Sequence, residues 1–364
     1  MNCTSCLALL LSILHLCQAD ATPTDAQRIE KAYQVAIDKW TVEMQTATSL
    51  EAQTRIWNSR PDTTAFANQL WSAISPSLEQ DWTLGPAAWF IRTTPALLAP
   101  DANGTLMPIF AAENETLRKA IETHHLKSPI LIPVCAALAT STDPRSLALL
   151  EMIQTSHPDS KTQGVAALGA AIQLKNLGDS GEIMRRRLNY LRKAIIDSSE
   201  VELNGTSVAK LAEDELYIIR FLTKGRIAPD LAGIDSAGRP ISLSSHQGKV
   251  IILLFWNSNV PDAQRVVEIT TAMQTRFTDR PLVIMGVNND TTEKLRALQA
   301  DGTVPWPNFS DPENRLAKEY RVGSWPLVYV LDGERKIHYA GLPGSFASLT
   351  AEALLAEVKP SISE

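Results

Sequence analysis

The residues of this chain that could carry redox chemistry are its four cysteines, and their positions argue against that chemistry. Dithiol–disulfide exchange needs one thiolate that attacks a disulfide and a second thiol that resolves the mixed disulfide. Cys3, Cys6 and Cys17 lie in the first stretch of the chain, and Cys135 stands alone in the remainder. Removal of the first stretch would leave one thiol, which can form no internal disulfide.

The first stretch has the features of a secretory signal segment. Residues 7–16 form an apolar run that is too short to span a bilayer, and Ala19 and Ala21 each offer a small residue for cleavage. We therefore expect residues 1–19 to be a signal peptide with cleavage near Ala19 or Ala21. The mature protein is then extracytoplasmic, periplasmic or secreted, with no integral membrane segment after cleavage.

Cys135 lies in an apolar, alanine-rich segment of helical type, residues 129–139, with no basic side chain within one helical turn. A free cysteine in such surroundings is usually a small buried hydrophobe rather than a reactive thiol. A residual redox role through this single thiol is the alternative. His124 and His125 have no further ligand at metal-binding spacing, so they indicate a solvated helix end, and we expect no metal and no cofactor.

Composition weighs against nucleic acid as a partner. The net charge is −6, and the basic residues between 185 and 193 fit a solvated helix face. Five of the eight tryptophans fall in one early stretch, where helical spacing favours core packing over a ligand platform. These five are Trp40, Trp57, Trp71, Trp82 and Trp89.

The length of 364 residues is enough for two domains, and the first of them is predicted to be all-α. From about residue 25 to residue 222 the apolar residues follow helical spacing, and strand alternation is lacking. The predicted helices cover residues 26–57, 64–74, 115–123, 130–140, 144–156, 161–177, 182–198 and 208–222. A proline-containing turn precedes a helix at residues 143–156 and again at 157–177, which indicates helical hairpins of HEAT or TPR kind.

The second domain, predicted for residues 227–360, follows an α/β pattern. Gly225 stops the preceding helix, and residues 228–243 read as an opening hairpin. Apolar runs at 250–256 and 282–288 are typical of buried parallel strands. The remaining predicted elements are helices at 262–277, 293–300 and 349–358, a strand within 322–332, and a hairpin that ends at Gly341.

Taken in order, these elements resemble the TlpA/ResA-like and AhpC/TSA-like redoxins, which are extracytoplasmic thioredoxins, from about residue 227 to residue 358. The resemblance implies a thioredoxin-like fold, with a cis peptide before Pro326 that faces the redox centre. It also implies a Trp-x-x-x-Cys-x-x-Cys motif that begins at Trp256. Val260 and Ala263 occupy the two cysteine positions of that motif.

Two further departures fall at the same place. The carboxylate that many of these oxidoreductases place after the second cysteine falls here on Val266. The proline that bends the following helix in the family falls on Glu268. Nucleophile, resolving thiol and proton-handling carboxylate are therefore absent together, and we assign no catalytic residue.

Two classes of function remain. The first is a thioredoxin-like binding or scaffold protein without redox-active cysteines, which holds an extended protein or peptide segment in a groove beside a cis Trp325–Pro326 bond. The second is a thiol-disulfide oxidoreductase or peroxidase of the redoxin family. The lack of sulfur favours the first. The candidate groove residues are Trp256, Asn257, Asn259, Trp325 and Pro326.

Overall fold

The computed structural model describes residues 22–47, 50–259 and 263–357. The predicted signal segment with its three cysteines and the predicted redox position Val260 lie outside the described residues. The chain divides into two compact units, and the division falls between Ala212 and Glu213. Within the described part, no helix is both long enough and apolar enough to cross a bilayer.

The N-terminal unit is helical, as the sequence predicts. Its helices are α1 (Pro23–Thr46), α2 (Leu50–Asn58), α3 (Thr63–Ile74), α4 (Leu84–Thr93), α5 (Ala111–Ala120), α6 (Ile132–Thr140), α7 (Ser146–Ser156), α8 (Ser160–Lys175), α9 (Gly181–Ser198) and α10 (Val208–Phe221), the last of which continues into the C-terminal unit. A π-helical turn, Ile121–His125, extends α5. The single helix predicted for 26–57 is two helices, and α4 was not predicted.

Several helices begin where a side-chain oxygen caps the free backbone N–H groups of the first turn. Asp62 accepts from Thr64 N–H at the start of α3, and Asp159 accepts from Thr162 N–H at the start of α8. Ser180 does the same for α9. These caps place the helix starts within a residue or two of the predicted ones.

Helices two apart in sequence pack together in this unit. Helix α6 packs on α4 and on α8, and α8 also packs on α7 and α9. This is how stacked helical hairpins are arranged. Helix α8 is buried on most sides, and a Cβ on its Gly164 would lie 1.8 Å from Ser198 Oγ of α9.

Two short hairpins interrupt the helices. The first joins β1 (Leu98–Pro100) to β2 (Leu106–Pro108), and the second joins β3 (Glu202–Leu203) to β4 (Thr206–Ser207). Strands of two or three residues are too short to show alternation, so the sequence pattern did not predict them. In the first hairpin all six strand residues are exposed.

The five clustered tryptophans were predicted to pack in the core, but none of them is fully buried. Trp57 is 45 % exposed, so the core interpretation is wrong for this residue. Its ring packs on Trp40 at a centroid distance of 5.7 Å, and the Arg60 guanidinium lies over both rings.

The C-terminal unit is an α/β domain, which confirms the predicted fold class. Its main sheet has the order β11-β10-β7-β8-β9, in which β7, β8 and β9 are parallel and β10 is antiparallel to β7 and β11. The strands are β5 (Ala232–Ile234), β6 (Pro240–Ser242), β7 (Val250–Trp256), β8 (Leu282–Asn288), β9 (Asn308–Ser310), β10 (Leu327–Leu331) and β11 (Ile337–Gly341). The helices are α11 (Ala263–Arg276), α12 (Thr292–Ala300), α13 (Arg315–Glu319) and α14 (Ser345–Glu357).

Strand β7 is buried at all seven positions because both faces of the sheet are covered. Its side chains alternate, so Val250, Ile252 and Leu254 face a core built with α11, α12 and α14. Ile251 and Leu253 face a second core on the opposite side.

The second core explains where the C-terminal unit begins. Tyr217, Ile218 and Phe221 of α10 pack against it, and Leu222 is part of it. The second half of α10 therefore belongs to this unit, which starts at Glu213. The sequence pattern alone placed the boundary after residue 222, because a helix shared by two units shows no break in its periodicity.

Candidate functional site

The carboxyl ends of β7 and β8 lie side by side, with Trp256 opposite Asn288. The Trp256 side chain is only 1 % exposed, and its indole N–H donates to Asn308 Oδ1 at 2.9 Å. A Cβ on Gly286 would lie 1.7 Å from that same oxygen, so the contact requires glycine there. Trp256 therefore forms the buried floor of this edge and does not line a groove.

A buried carboxylate, Asp290, holds the loop that follows β7. The backbone N–H and the hydroxyl of Ser258 each donate to Asp290 at 2.9 Å, and Asn288 Nδ2 donates to it at 2.9 Å. Asn259 Nδ2 adds a longer contact of 3.4 Å. Asn257 Oδ1 accepts from Asn259 N–H at 2.9 Å within the loop. With Asp290 only 4 % exposed, these contacts tie residues 257–259 to the end of β8.

Asp290 and Asn288 are site residues that the sequence reasoning missed. The signal was the polar triplet at 288–290, which directly follows a buried strand predicted to be parallel to β7. Polar residues at the carboxyl ends of neighbouring parallel strands meet at one edge of the sheet.

The Trp325–Pro326 peptide bond is cis, as predicted. Trp325 is half-buried, and its ring packs edge-on against Phe255 at a centroid distance of 6.3 Å. Pro326 lines a groove of about 960 Å³, within the size range of ligand pockets. Neither Asn257 nor Asn259 lines that groove.

The groove runs along α11, between Arg265 and Arg276, and is closed on its other side by residues 342–344 and the start of α14. Its apolar lining includes Ile269 and Leu349.

Apolar side chains also project around the groove. Leu342, Phe346 and Leu349 are 68 %, 75 % and 56 % exposed. Both signs of charge lie at the rim, since Arg265 and Glu268 are exposed on α11. The groove thus offers an apolar surface bordered by mixed charge.

The C-terminal unit is similar in sequence to a known family. Residues 224–340 match the AhpC/TSA family. The C-terminal unit is a thioredoxin-like redoxin domain. Its relatives include "Peroxiredoxin Q, chloroplastic" of Sedum lineare, 28 % identical over 119 residues, which are 30 % of this chain and 64 % of that protein. They also include "Thioredoxin-like protein YneN" of Bacillus subtilis, 26 % identical over 115 residues, which are 30 % of this chain and 66 % of that protein.

The chain therefore spans slightly less than two thirds of each of these relatives. Among solved structures, the redoxin domain is similar to the thioredoxin domain of a thiol-disulfide oxidoreductase from Bacteroides vulgatus. The identity is 24 % and the TM-score 0.34, with 37 % of this chain and 99 % of that chain covered.

Within the redoxin domain, the described positions of the implied redox motif carry no sulfur. Ala263 is the first residue of α11, and Val260 lies outside the described residues. Val266 is 5 % exposed and packs in the core beneath α11, while Glu268 is exposed on the same helix.

The free cysteine among the described residues, Cys135, lies in α6 of the helical unit and is fully buried. Burial raises the pKa of its thiol to about 12, so the thiol is protonated at neutral pH.

One residue of the histidine pair, His125, has a structural role in the helical unit. His125 is 1 % exposed, so the expectation of a solvated helix end is wrong for it. Its Nδ1 lies 2.8 Å from Asp81 and its Nε2 2.7 Å from the Leu78 carbonyl, which ties the π-helical turn to residues 78–81. In the described part of the chain, no group of three or more His, Cys, Asp or Glu side chains is placed to hold a metal ion.

Proposed function

We propose that this protein is an extracytoplasmic redoxin-fold binding protein that carries out no thiol chemistry and holds a protein or peptide segment beside Pro326. The observation that carries the proposal is the replacement of both motif cysteines, by Val260 and Ala263. Without an attacking thiolate, neither disulfide exchange nor peroxide reduction can start.

The raised pKa of Cys135 supports the same conclusion, because its thiol is buried in the helical unit and protonated at neutral pH. The alternative function, a thiol-disulfide oxidoreductase or peroxidase, corresponds to the names of the relatives. It would need a thiol that the redoxin domain lacks in its own sequence, since the last cysteine of the chain is Cys135.

The groove supports the binding half of the proposal. Its apolar lining along α11 can bury side chains of a partner, and exposed Arg265 and Glu268 can orient polar ones. Gly323 and Ser324, directly upstream of Trp325, are exposed and can pair with an extended backbone.

A redox assay separates the two functions. The mature protein is tested for dithiothreitol-driven insulin reduction and for peroxide consumption, and we expect neither. The double variant Val260→Cys/Ala263→Cys serves as the gain-of-function control, because a thiolate at a helix N-terminus has a lowered pKa. Turnover by the wild type that survives Cys135→Ser would defeat the proposal, and turnover lost with Cys135 would point to a one-thiol mechanism.

A binding assay tests the groove itself. Random peptides displayed on phage are selected on the full mature chain, and we expect the selected peptides to lose binding to Leu349→Asp. Ile234→Asp is the matched control, because Ile234 is 52 % exposed in the same unit and does not line the groove. Peptides that bind the Leu349→Asp variant as well as the wild type would place the binding site elsewhere.

A further inference from the structure

The charged side chains along the groove are not equally available to a bound segment. Arg276 is already paired with Glu352 at 2.6 Å. Glu268 accepts a hydrogen bond from the Gln264 amide at 2.9 Å. Arg265 lines the groove and is exposed, and no acidic side chain among the described residues pairs with it. Arg265 is therefore a cation with which a bound segment can form an ion pair.

The charge around Arg265 favours a carboxylate as its partner. Helix α11 begins two residues earlier, at Ala263, and has no acidic residue in its first turn, so the partial positive charge of the helix N-terminus adds to that of the guanidinium. Helix α14, whose first residue Ser345 also lines the groove, has no acidic residue in its first turn either. Among the described lining residues, Glu268 is the acidic side chain that opposes two arginines.

The spacing of the lining residues matches an extended chain. Ile269 and Met273 line the groove and follow Arg265 at intervals of four residues. Four residues of an α-helix rise about 6 Å. Alternate side chains of a strand lie on one face, about 6.6 Å apart. An extended segment along α11 can therefore place three alternate side chains opposite one guanidinium and two apolar positions.

We propose that the groove selects an extended segment in which three alternate side chains are one acidic and two apolar, with the acidic side chain paired to Arg265. The acidic residue then lies two positions from the nearer apolar residue and four from the other. This inference rests on the proposed function, since it names the kind of segment that is held beside Pro326. The apolar contacts contribute burial, and Arg265 determines which sign of charge is accepted.

The peptide selection described above tests this specificity. Peptides joined to a phage coat protein at their C-terminus can offer only side-chain carboxylates. Among peptides that lose binding to Leu349→Asp, we expect acidic residues at the stated spacing from apolar ones. Selection on Arg265→Glu should yield lysine or arginine there instead, and binding of those peptides shows that the variant is folded. Arg280→Glu is the matched control, because Arg280 is exposed in the same unit and does not line the groove, and it should keep the acidic preference.

Titration of synthetic peptides measures the ion pair itself. One selected peptide, acetylated and amidated at its ends, is compared with a variant in which glutamine replaces the acidic residue, by fluorescence polarisation with the full mature chain. At low salt the glutamine peptide should bind the wild type about five-fold more weakly, as for an exposed ion pair at the upper end of its usual strength. The two peptides should bind Arg265→Gln equally. The difference should also shrink in about 1 M salt, where the Debye length is about 3 Å.

The outcomes separate this inference from the function on which it rests. Peptides that depend on Leu349 but carry no acidic residue at this spacing would overturn the inference and leave the binding function standing. So would an unchanged preference in Arg265→Glu, an equal change in Arg280→Glu, or equal affinity of the two synthetic peptides for the wild type. A selection that yields no peptide dependent on Leu349 would overturn both.

Discussion

Replacement of Gly286 by alanine tests the buried contact that fixes the end of β7. The added Cβ would lie 1.7 Å from Asn308 Oδ1 and 2.9 Å from Trp256 Nε1. Contacts that short force a neighbour to move. Asn308 has little freedom to do so, because it is fully buried, accepts from Trp256 and donates to the Trp306 carbonyl at 2.8 Å.

Two costs add in the Gly286→Ala variant. Overpacking a well-packed interior costs about 1–3 kcal/mol. Displacing Asn308 leaves the buried indole N–H of Trp256 without an acceptor, which costs about another 1–3 kcal/mol. The free energy of unfolding of the redoxin domain should therefore fall by about 4 kcal/mol, a large share of the stability of a single domain.

Hydrogen exchange of the full chain in increasing urea, read by mass spectrometry on β7 and β8 peptides, measures this domain separately from the helical unit. Gly323→Ala is the matched control, since a Cβ there meets nothing within 4 Å, and it should change the stability by less than about 0.5 kcal/mol.

Asn308→Ala completes a double-mutant cycle with Gly286→Ala. It removes the oxygen that the new Cβ would meet, so the two costs should overlap by about 2 kcal/mol or more. Equal stability of Gly286→Ala and the wild type, or strict additivity of the two changes, would refute the contact.

Three further predictions concern single residues. Asp290→Ala should lower the stability of the redoxin domain by about 2 kcal/mol and speed exchange of the Ser258 amide, whereas Asp290→Asn, which keeps one acceptor, should do so less. The Thr162 hydroxyl and N–H donate to Asp159 and lower its pKa, so its helix cap stabilises the fold at neutral pH and fades as the pH falls through the lowered pKa. Urea unfolding should show a loss of about 1 kcal/mol for Asp159→Ala at pH 7 that disappears in acid, while Asp159→Asn keeps the cap without the pH dependence. Cys135 should resist iodoacetamide at pH 8 in the folded mature protein and react once in urea, because burial raises its pKa to about 12; rapid labelling of the native protein would contradict its placement.

The sequence predicted those parts of the fold in which side chains follow one repeating pattern. Strand β7 is a run of seven apolar residues because both its faces are covered, and such a run is visible without a structure. Helix α4 was not predicted, and its first turn contains Gly85 and Pro86, two residue types that usually interrupt helices. Proline is tolerated in the first turn of a helix, where its missing N–H has no intrahelical partner, and Pro86 lies in that turn.

The candidate site was only partly predictable for a different reason. Pro326 was found because a motif marks it, and the structure places it in the groove wall. Asp290 acts through hydrogen bonds to a loop 32 residues earlier in the chain, which no local pattern records. Trp256 was predicted to line the groove, because its position in the motif gives no sign that its indole is buried against Asn308.

The β1–β2 hairpin bears on how the protein avoids aggregation. Ile109 N–H donates to the Leu97 carbonyl, and Asp101 N–H donates to the Thr105 carbonyl. These two hydrogen-bonded pairs flank the pairs Leu98–Pro108 and Pro100–Leu106, which therefore occupy the non-hydrogen-bonded positions of the ladder. Backbone groups of those intervening pairs point outward, along the free edges of an exposed apolar ribbon.

Pro100 and Pro108 have no backbone N–H, so each outer edge of the hairpin lacks one hydrogen-bond donor. A strand from another molecule therefore cannot form a complete set of backbone hydrogen bonds along either edge. The hairpin can therefore display Leu106 and Met107 to solvent, at 61 % and 51 % exposure, with little risk of growing into an intermolecular sheet.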